Sequence, residues 1–218
     1  MSVTKLFWRD PYQSRIETRI AGVSGNDVTL TETIFYAFSG GQESDAGTIG
    51  RQRVLNARKD GREILYTLED GHGLHAGDPV IVEIDWARRH RLMRLHLAAE
   101  IILELAYQNL PGIAKIGAHI AEDKARIDFA WAENIGKLFP MMLTKAGALI
   151  AADHPIVSAF SDEANQWRYW EIASFAKVPC GGTHLKRTGE IGTITLKRVN
   201  IGKGKERIEI RVGDLLSE

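Results

Sequence analysis

The sequence predicts an α+β protein: a small N-terminal β-barrel-like domain over residues 1–85, then a domain over 86–218 in which helices pack on a mainly antiparallel sheet. Three observations carry this. Residues 14–85 hold short β-branched runs punctuated by Gly-rich turns. At Trp86 the apolar period changes from strand-like to helical. Beyond Pro111-Gly112, strand-like runs return, with one further helical stretch among them.

In chain order, "SRIETRIAGV" and "DVTLTETIFYAF" read as strands separated by "SGN". "RQRVLNARKDGREILYTLE" reads as a hairpin turning at Lys59-Asp60-Gly61, and "GDPVIVEID" as another strand. Short strands of this kind with Gly-rich turns suit a small barrel or closed sheet. Leu92, Leu95, Ala99, Ile102, Leu103 and Ala106 then mark one stripe of a helix over 86–108. "KIGAHI" and "ARIDFAW" are strand-like, residues 132–150 are helical, and "WRYWEIAS", "EIGTITLKRVN" and "ERIEIRV" supply further strands.

With 218 residues, 44% apolar and 26% charged, the chain has material for a real core and lies far from disordered compositions. Its single cysteine excludes an intrachain disulfide and is compatible with a reducing compartment. The N-terminal residues have no apolar run of signal length, and no later run reaches membrane-spanning length. The expectation is a soluble cytoplasmic protein with no membrane association and no obligatory protein partner. Net charge is zero, so bulk basicity announces no polyanion. Locally, Arg88, Arg89, Arg91 and Arg94 stand in a stretch without acids, and Lys186–Arg211 holds eight Lys/Arg against three Glu. Two such segments read as solvated surface, or as a phosphate-binding patch if folding joins them.

Three constellations could carry chemistry. His96 and Glu100 lie four residues apart on the helix, a spacing that stacks two side chains on one face. They are a surface pair or two ligands of one metal ion. In "VPCGGTH", Cys180 and His184 flank two glycines that let a loop turn both side chains inward. Cys180 is open to three readings: a buried small hydrophobe, a nucleophile paired with histidine, or half of a metal site. Four ligands, His96, Glu100, Cys180 and His184, would suit zinc. In "SGGQESDAGTIG", Gly40 and Gly41 permit close backbone approach to a ligand, while Gln42 and Asp45 can hydrogen-bond a polar substrate. Alone, that loop is also an ordinary turn.

These pieces, in the order "SGGQESDAGTIG", "MRLHLAAE", "KIGAHIAEDKARIDF" and "RYWEIASFAKVPCGGTHLKRTGEIG", resemble the AlaX family, free-standing relatives of the alanyl-tRNA synthetase editing domain. The N-terminal β-domain makes the chain similar to the medium-length form. The resemblance implies a C-terminal α/β editing domain and hydrolysis of mischarged tRNA-Ala, Ser-tRNA-Ala and sometimes Gly-tRNA-Ala. It also implies one zinc ion per chain. His96, Cys180 and His184 match the zinc ligands, and Gln42 matches the editing-loop glutamine. Glu100 stands where the family pattern has a second histidine, and Ser39 replaces the first glycine of its Gly-Gly-Gly-Gln loop. A carboxylate oxygen also ligates zinc; a Glu100 that does not ligate becomes a candidate general base. With the resemblance, Gln42, Glu100 and Thr183 are the catalytic candidates, and Gly40, Gly41, Asp45 and His119 the substrate-binding ones. Arg88, Arg89, Arg91, Arg94, Lys186 and Arg187 are the candidates for tRNA phosphates. The competing readings are a non-catalytic tRNA-binding homologue with a degraded metal site, or a deacylase for another aminoacyl-tRNA.

Overall fold

The computed structural model describes residues 2–213, and its contacts divide the chain into two compact units. One takes in the chain through Ser39 together with Glu43–His90. The other takes in Gly40–Gln42 together with the chain from Arg91 onward. Among the described residues the protein is α+β, with sheets that are almost entirely antiparallel and two α-helices.

In the first unit, β1 (Thr4–Lys5) pairs in parallel with β4 (Glu32–Thr33). The remaining strands are β2 (Arg15–Ser24), β3 (Asp27–Leu30), β5 (Gly47–Ile49), β6 (Gln52–Arg53), β7 (Asn56–Asp60), β8 (Glu63–Thr67) and β9 (Pro79–Ile84). They form one sheet in the order β6-β5-β9-β2-β3-β8-β7. Its two end strands are consecutive in sequence, separated by Val54 and Leu55 alone. The chain can span no more than about 11 Å between Arg53 and Asn56. The sheet must therefore roll until its edges nearly meet. Alternation decides which face turns inward: along β2, Ile16, Thr18 and Ile20 are buried while Arg15, Glu17 and Arg19 are exposed.

Two details differ from the sequence reading. The hairpin between β7 and β8 turns at Gly61-Arg62, one residue later than expected, because Asp60 still pairs with Glu63 and Gly61 takes the positive φ of 59°. The run "DVTLTETIFYAF" is not one strand. It leaves the seven-stranded sheet after Leu30 and its pairing with β1 after Thr33, and Ile34, Phe35, Tyr36 and Ala37 fill the core as irregular chain. Side chains satisfy that backbone: Phe35 N–H donates to Thr33 Oγ1 (3.0 Å) and Tyr36 N–H to Asp45 Oδ2 (2.7 Å).

Asp45 and Arg89 form a fully buried ion pair in this unit. Arg89 Nε donates to Asp45 Oδ1 (2.8 Å), and its Nη2 reaches Asp45 Oδ2 and the Ile34 carbonyl (2.6 Å). Nη1 donates to the Pro11 carbonyl (2.9 Å). The guanidinium thus ties three separate chain segments together.

The second unit begins within α1 (Trp86–Asn109), after His90. It contains β10 (Ala114–Ile120), β11 (Ala125–Ala130), α2 (Phe139–Ala151), β12 (Val157–Asp162), β13 (Trp167–Ile172), β14 (Ala176–Pro179), β15 (Ile194–Gly202) and β16 (Lys205–Val212). Two antiparallel sheets result, ordered β10-β11-β16-β15 and β12-β13-β14. The helical stretch expected over 132–150 is shorter as an α-helix. A 3-10 turn capped by Asn134 precedes it, and Pro140 sits in the first turn of α2, where its missing N–H costs nothing. The stripe expected on α1 is also too narrow: every residue from Leu92 to Ala99 is buried. Arg94 is tolerated there because its Nε and Nη2 donate to the Ile191 carbonyl (3.0 and 2.9 Å) and Nη2 also to that of Gly213. The strands β12 and β14 were not signalled, being short and interrupted by polar residues or proline. Among the described residues, no helix is long and apolar enough to cross a membrane.

Two outcomes follow from the ion pairs. Asp45→Ala leaves the Arg89 charge buried and uncompensated and is expected to destabilise the first unit by about 3–5 kcal/mol, read from urea denaturation. On the four-stranded sheet, burial alone would raise Asp128. Hydrogen bonds from Arg207 (Nε to Oδ1 2.6 Å, Nη2 to Oδ2 3.0 Å), together with the charges of Arg126 and Arg207, outweigh it and hold the carboxyl below its usual value. A depressed folded-state value contributes stability above the unfolded value near pH ~4, and that contribution is lost as pH falls through the folded one. Asp128→Asn should therefore be less stable at neutral pH and flatten the decline of melting temperature below pH ~4.

Candidate metal centre

Four potential ligands come together in the second unit: His96 and Glu100 from the buried middle of α1, and Cys180 and His184 from the loop after β14. One ligand atom from each residue lies within 4.8 Å of all the others. Cys180 Sγ is 3.6 Å from His96 Nε2, Glu100 Oε1 is 3.4 Å from His96 Nε2, and Glu100 Oε2 is 3.1 Å from His184 Nε2. Around a tetrahedral zinc with bonds of about 2.0–2.3 Å, neighbouring donors stand about 3.3–3.6 Å apart. Three of these contacts lie near that spacing and the whole set lies within 4.8 Å, so the cluster could hold a divalent metal.

Local structure fixes each donor. The i,i+4 spacing stacks His96 and Glu100 on one side of α1. His96 Nδ1–H is directed at the Thr183 carbonyl (3.3 Å), which leaves Nε2 facing Cys180 and Glu100. Across the site, Ser158 Oγ lies 3.5 Å from His184 Nδ1. The two imidazoles stack with centroids 4.9 Å apart. Gly182 makes this approach possible: a Cβ there would sit 2.3 Å from His96 Cε1 and 2.7 Å from Gln42 Oε1.

Gln42 clasps the same loop. Its Nε2 donates to Thr183 Oγ1 (2.8 Å), and its Oε1 accepts the Thr183 N–H (3.3 Å). The tripeptide Gly40–Gln42 joins this unit because Ile120 N–H donates to the Gly41 carbonyl (2.8 Å) and Gln42 bridges to Ile120 in parallel. Gly41 has φ of 89°, and a Cβ would meet the Ala118 carbonyl oxygen at 2.6 Å. Two reasons at once require glycine there.

The electrostatics are self-consistent. Burial would raise Glu100, but the charge on His96 and hydrogen bonds from both histidines bring it far below the usual carboxylate range. Burial would lower His96 and His184, yet Glu100 and Cys180 lift both above their usual value. Burial and Glu100 push the Cys180 thiol up; the two histidines outweigh them and bring it down to about 7. Two imidazolium ions, a carboxylate and a thiolate sum to zero. So do two neutral imidazoles, the same anions and one divalent cation. A metal ion can replace the two protons without changing the net charge of the buried site, so binding should release protons.

The small sheet forms the wall behind Cys180. Cross-strand pairing sets Phe160 opposite Arg168 and Ser158 opposite Trp170, and Cys180 N–H donates to the Arg168 carbonyl (2.9 Å). Trp170 lies 6.5 Å from the His184 ring. The sequence reading assigned no role to Arg168, Trp170 or Ser158. The alternation in "WRYWEI" was the available signal, since it places Arg168 and Trp170 on one face.

His119 is half-buried on β10, paired with Arg126. Asp45 and Arg89 are taken up in the first unit's core. Arg88 is held there by Glu43 (2.7 Å) and the Ser44 carbonyl. Arg91 Nε donates to the Glu122 carbonyl (2.9 Å), and Arg94 is buried. Lys186 and Arg187 are exposed, with Arg187 Nε on Asp153 Oδ2 (2.6 Å).

Replacing Gly182 with alanine should push His96 and Gln42 out of place. The expected result is a folded protein whose metal content, measured by atomic emission after dialysis, falls well below that of wild type.

Residues 171–209, which include Cys180 and His184, match the family described as "Threonyl and Alanyl tRNA synthetase second additional domain". The chain is also similar to the alanyl-tRNA editing protein AlaX-M of Pyrococcus horikoshii, 32% identical over 94% of this chain and 96% of that protein. The AlaX-M of Saccharolobus solfataricus is 33% identical, with the same coverage of both chains. The alanine–tRNA ligase of Methanococcus aeolicus is 33% identical over 95% of this chain, a stretch that makes up 25% of the ligase. Similarity that runs nearly end to end with free-standing editing proteins, and through only a quarter of a ligase, shows that the chain belongs to the AlaX-M family of alanyl-tRNA editing proteins.

Proposed function

We propose that this protein is a trans-editing hydrolase that cleaves the aminoacyl ester of mischarged tRNA-Ala, Ser-tRNA-Ala foremost and Gly-tRNA-Ala second. One zinc ion would be held by His96, Glu100, Cys180 and His184. The observation that supports it best is the convergence of two nitrogens, an oxygen and a sulfur within 4.8 Å of one another.

Bound zinc supplies a Lewis acid that lowers the pKa of water or fixes the substrate's amino group. The remaining work falls to side chains. Hydrolysis adds the oxygen of water to the ester carbonyl carbon and gives a proton to the departing ribose oxygen. With Glu100 engaged as a ligand, its carboxylate serves the metal; only a Glu100 that does not ligate would act as general base. Thr183 Oγ1 receives a hydrogen from Gln42 Nε2, so its own O–H is left to donate to the substrate. The tight turn at Gly40-Gly41 keeps Gln42 in that position. A pocket that hydrogen-bonds the serine hydroxyl leaves buried groups unpaired when alanine enters, which favours serine in the direction an editor needs. With Arg89 and Arg94 buried, the exposed Lys186 and Arg187 are the better candidates for acceptor-stem phosphates.

A deacylation panel of Ser-, Gly-, Ala- and Thr-charged tRNAs, with zinc content measured on the same samples, tests this. Wild type should carry one zinc per chain and release serine fastest. Cys180→Ala should lose zinc and slow deacylation beyond the ~10–100-fold typical of losing an outer-shell partner. A wild-type protein with no zinc and no serine release would overturn the proposal.

A further inference from the structure

Arg168 sits in the central strand of the small sheet, between Phe160 on β12 and the start of the ligand loop after β14. Tyr169 pairs with Pro179, so Arg168 stands opposite Cys180, with both side chains on the same face of the sheet. The backbones are joined there by the Cys180 N–H to Arg168 carbonyl bond (2.9 Å). Only 6% of Arg168 is exposed, and its guanidinium lies over the Phe160 ring at 4.7 Å. That stacking holds a long side chain in one place at the edge of the metal centre.

A buried guanidinium is stabilised by a nearby anionic group. Burial makes an uncompensated charge on Arg168 costly, and cross-strand register puts Cys180 on the same face directly opposite it. The ligand set contains two anionic groups, because Glu100 adds a carboxylate to the cysteine thiolate. With a divalent ion, such a ligand set is neutral; Arg168 returns one positive charge to its border.

We propose that Arg168 is a positioning residue of the metal centre: from the outer sphere it orients Cys180 and offsets the negative charge that Glu100 brings to the ligand set. The proposal rests on the metal-dependent reading above. Arg168 need not touch substrate. It acts through the sulfur, and its cationic charge is the property that matters.

The test is Co2+ binding to the full-length metal-free protein, by competition with a chromophoric chelator, with the sulfur-to-cobalt charge-transfer band recorded. Arg168→Gln removes the charge and Arg168→Lys retains it; circular dichroism and a melt of each metal-free protein establish folding. Arg168→Gln should bind Co2+ about 10–100-fold more weakly, with a shifted and weaker band. Arg168→Lys should recover most of the affinity and the wild-type band. If Arg168→Gln fails to fold, Arg168→Lys decides alone: affinity within about fivefold of wild type supports the proposal, and a loss as large as that of Cys180→Ala overturns it. Equal binding by wild type and a folded Arg168→Gln overturns it, and so does equal weakening in both Arg168 variants, which would mean packing alone. Failure of wild type to bind Co2+ or zinc would overturn the metal-dependent reading, and this proposal with it.

Discussion

The close approach of the Gly182 backbone to the His96 imidazole is the contact on which the site depends. A side chain at Gly182 would overlap both His96 and Gln42, so the ligand loop can lie against α1 only where it has none. Once it lies there, Cys180 and His184 reach residues 84 positions earlier in the chain. The Thr183 carbonyl sets the His96 tautomer, and the Thr183 N–H and hydroxyl are caught by Gln42. One missing methyl group therefore couples a helix, a loop and the Gly40–Gln42 tripeptide.

Charge explains why such a cluster can be buried. A carboxylate and a thiolate in a dry interior would each be costly alone. They are tolerated beside two imidazoles whose affinity for protons they raise, and the same donors would balance one divalent cation in place of two protons at constant net charge. Glu100 suits this exchange because its two oxygens address both rings at once. The outer-sphere cation inferred at Arg168 extends the same logic one shell outward.

The arginines show how far charge in a sequence is from charge on a surface. Arg88, Arg89, Arg91 and Arg94 look like a basic run, yet each guanidinium meets a carbonyl, a carboxylate or both. Arg89 and Arg94 are almost wholly buried. Arginine reaches backbone carbonyls with a planar fork of five donors, so it can fasten loops around a helix as readily as it can bind phosphate. Nothing in the spacing of these residues separates the two uses, since both place arginines on a helix that other chain segments approach.

By itself the sequence determined what depends on local pattern. The two-residue period of "RIETRI" set the inward face of β2, the helical period after Trp86 set α1, and the i,i+4 spacing set His96 above Glu100. The glycines of "CGGTH" marked a loop able to turn its cysteine and histidine inward. Tertiary structure alone decided that "IFYAF" leaves the sheet, that Gly40–Gln42 belongs with the second unit, that Asp45 joins Arg89 and not the ligand cluster, and that Arg168 stands behind Cys180. Each of these turns on which distant segment supplies the partner for a buried polar group. That partner is chosen by packing across many residues of chain, and no local period records it.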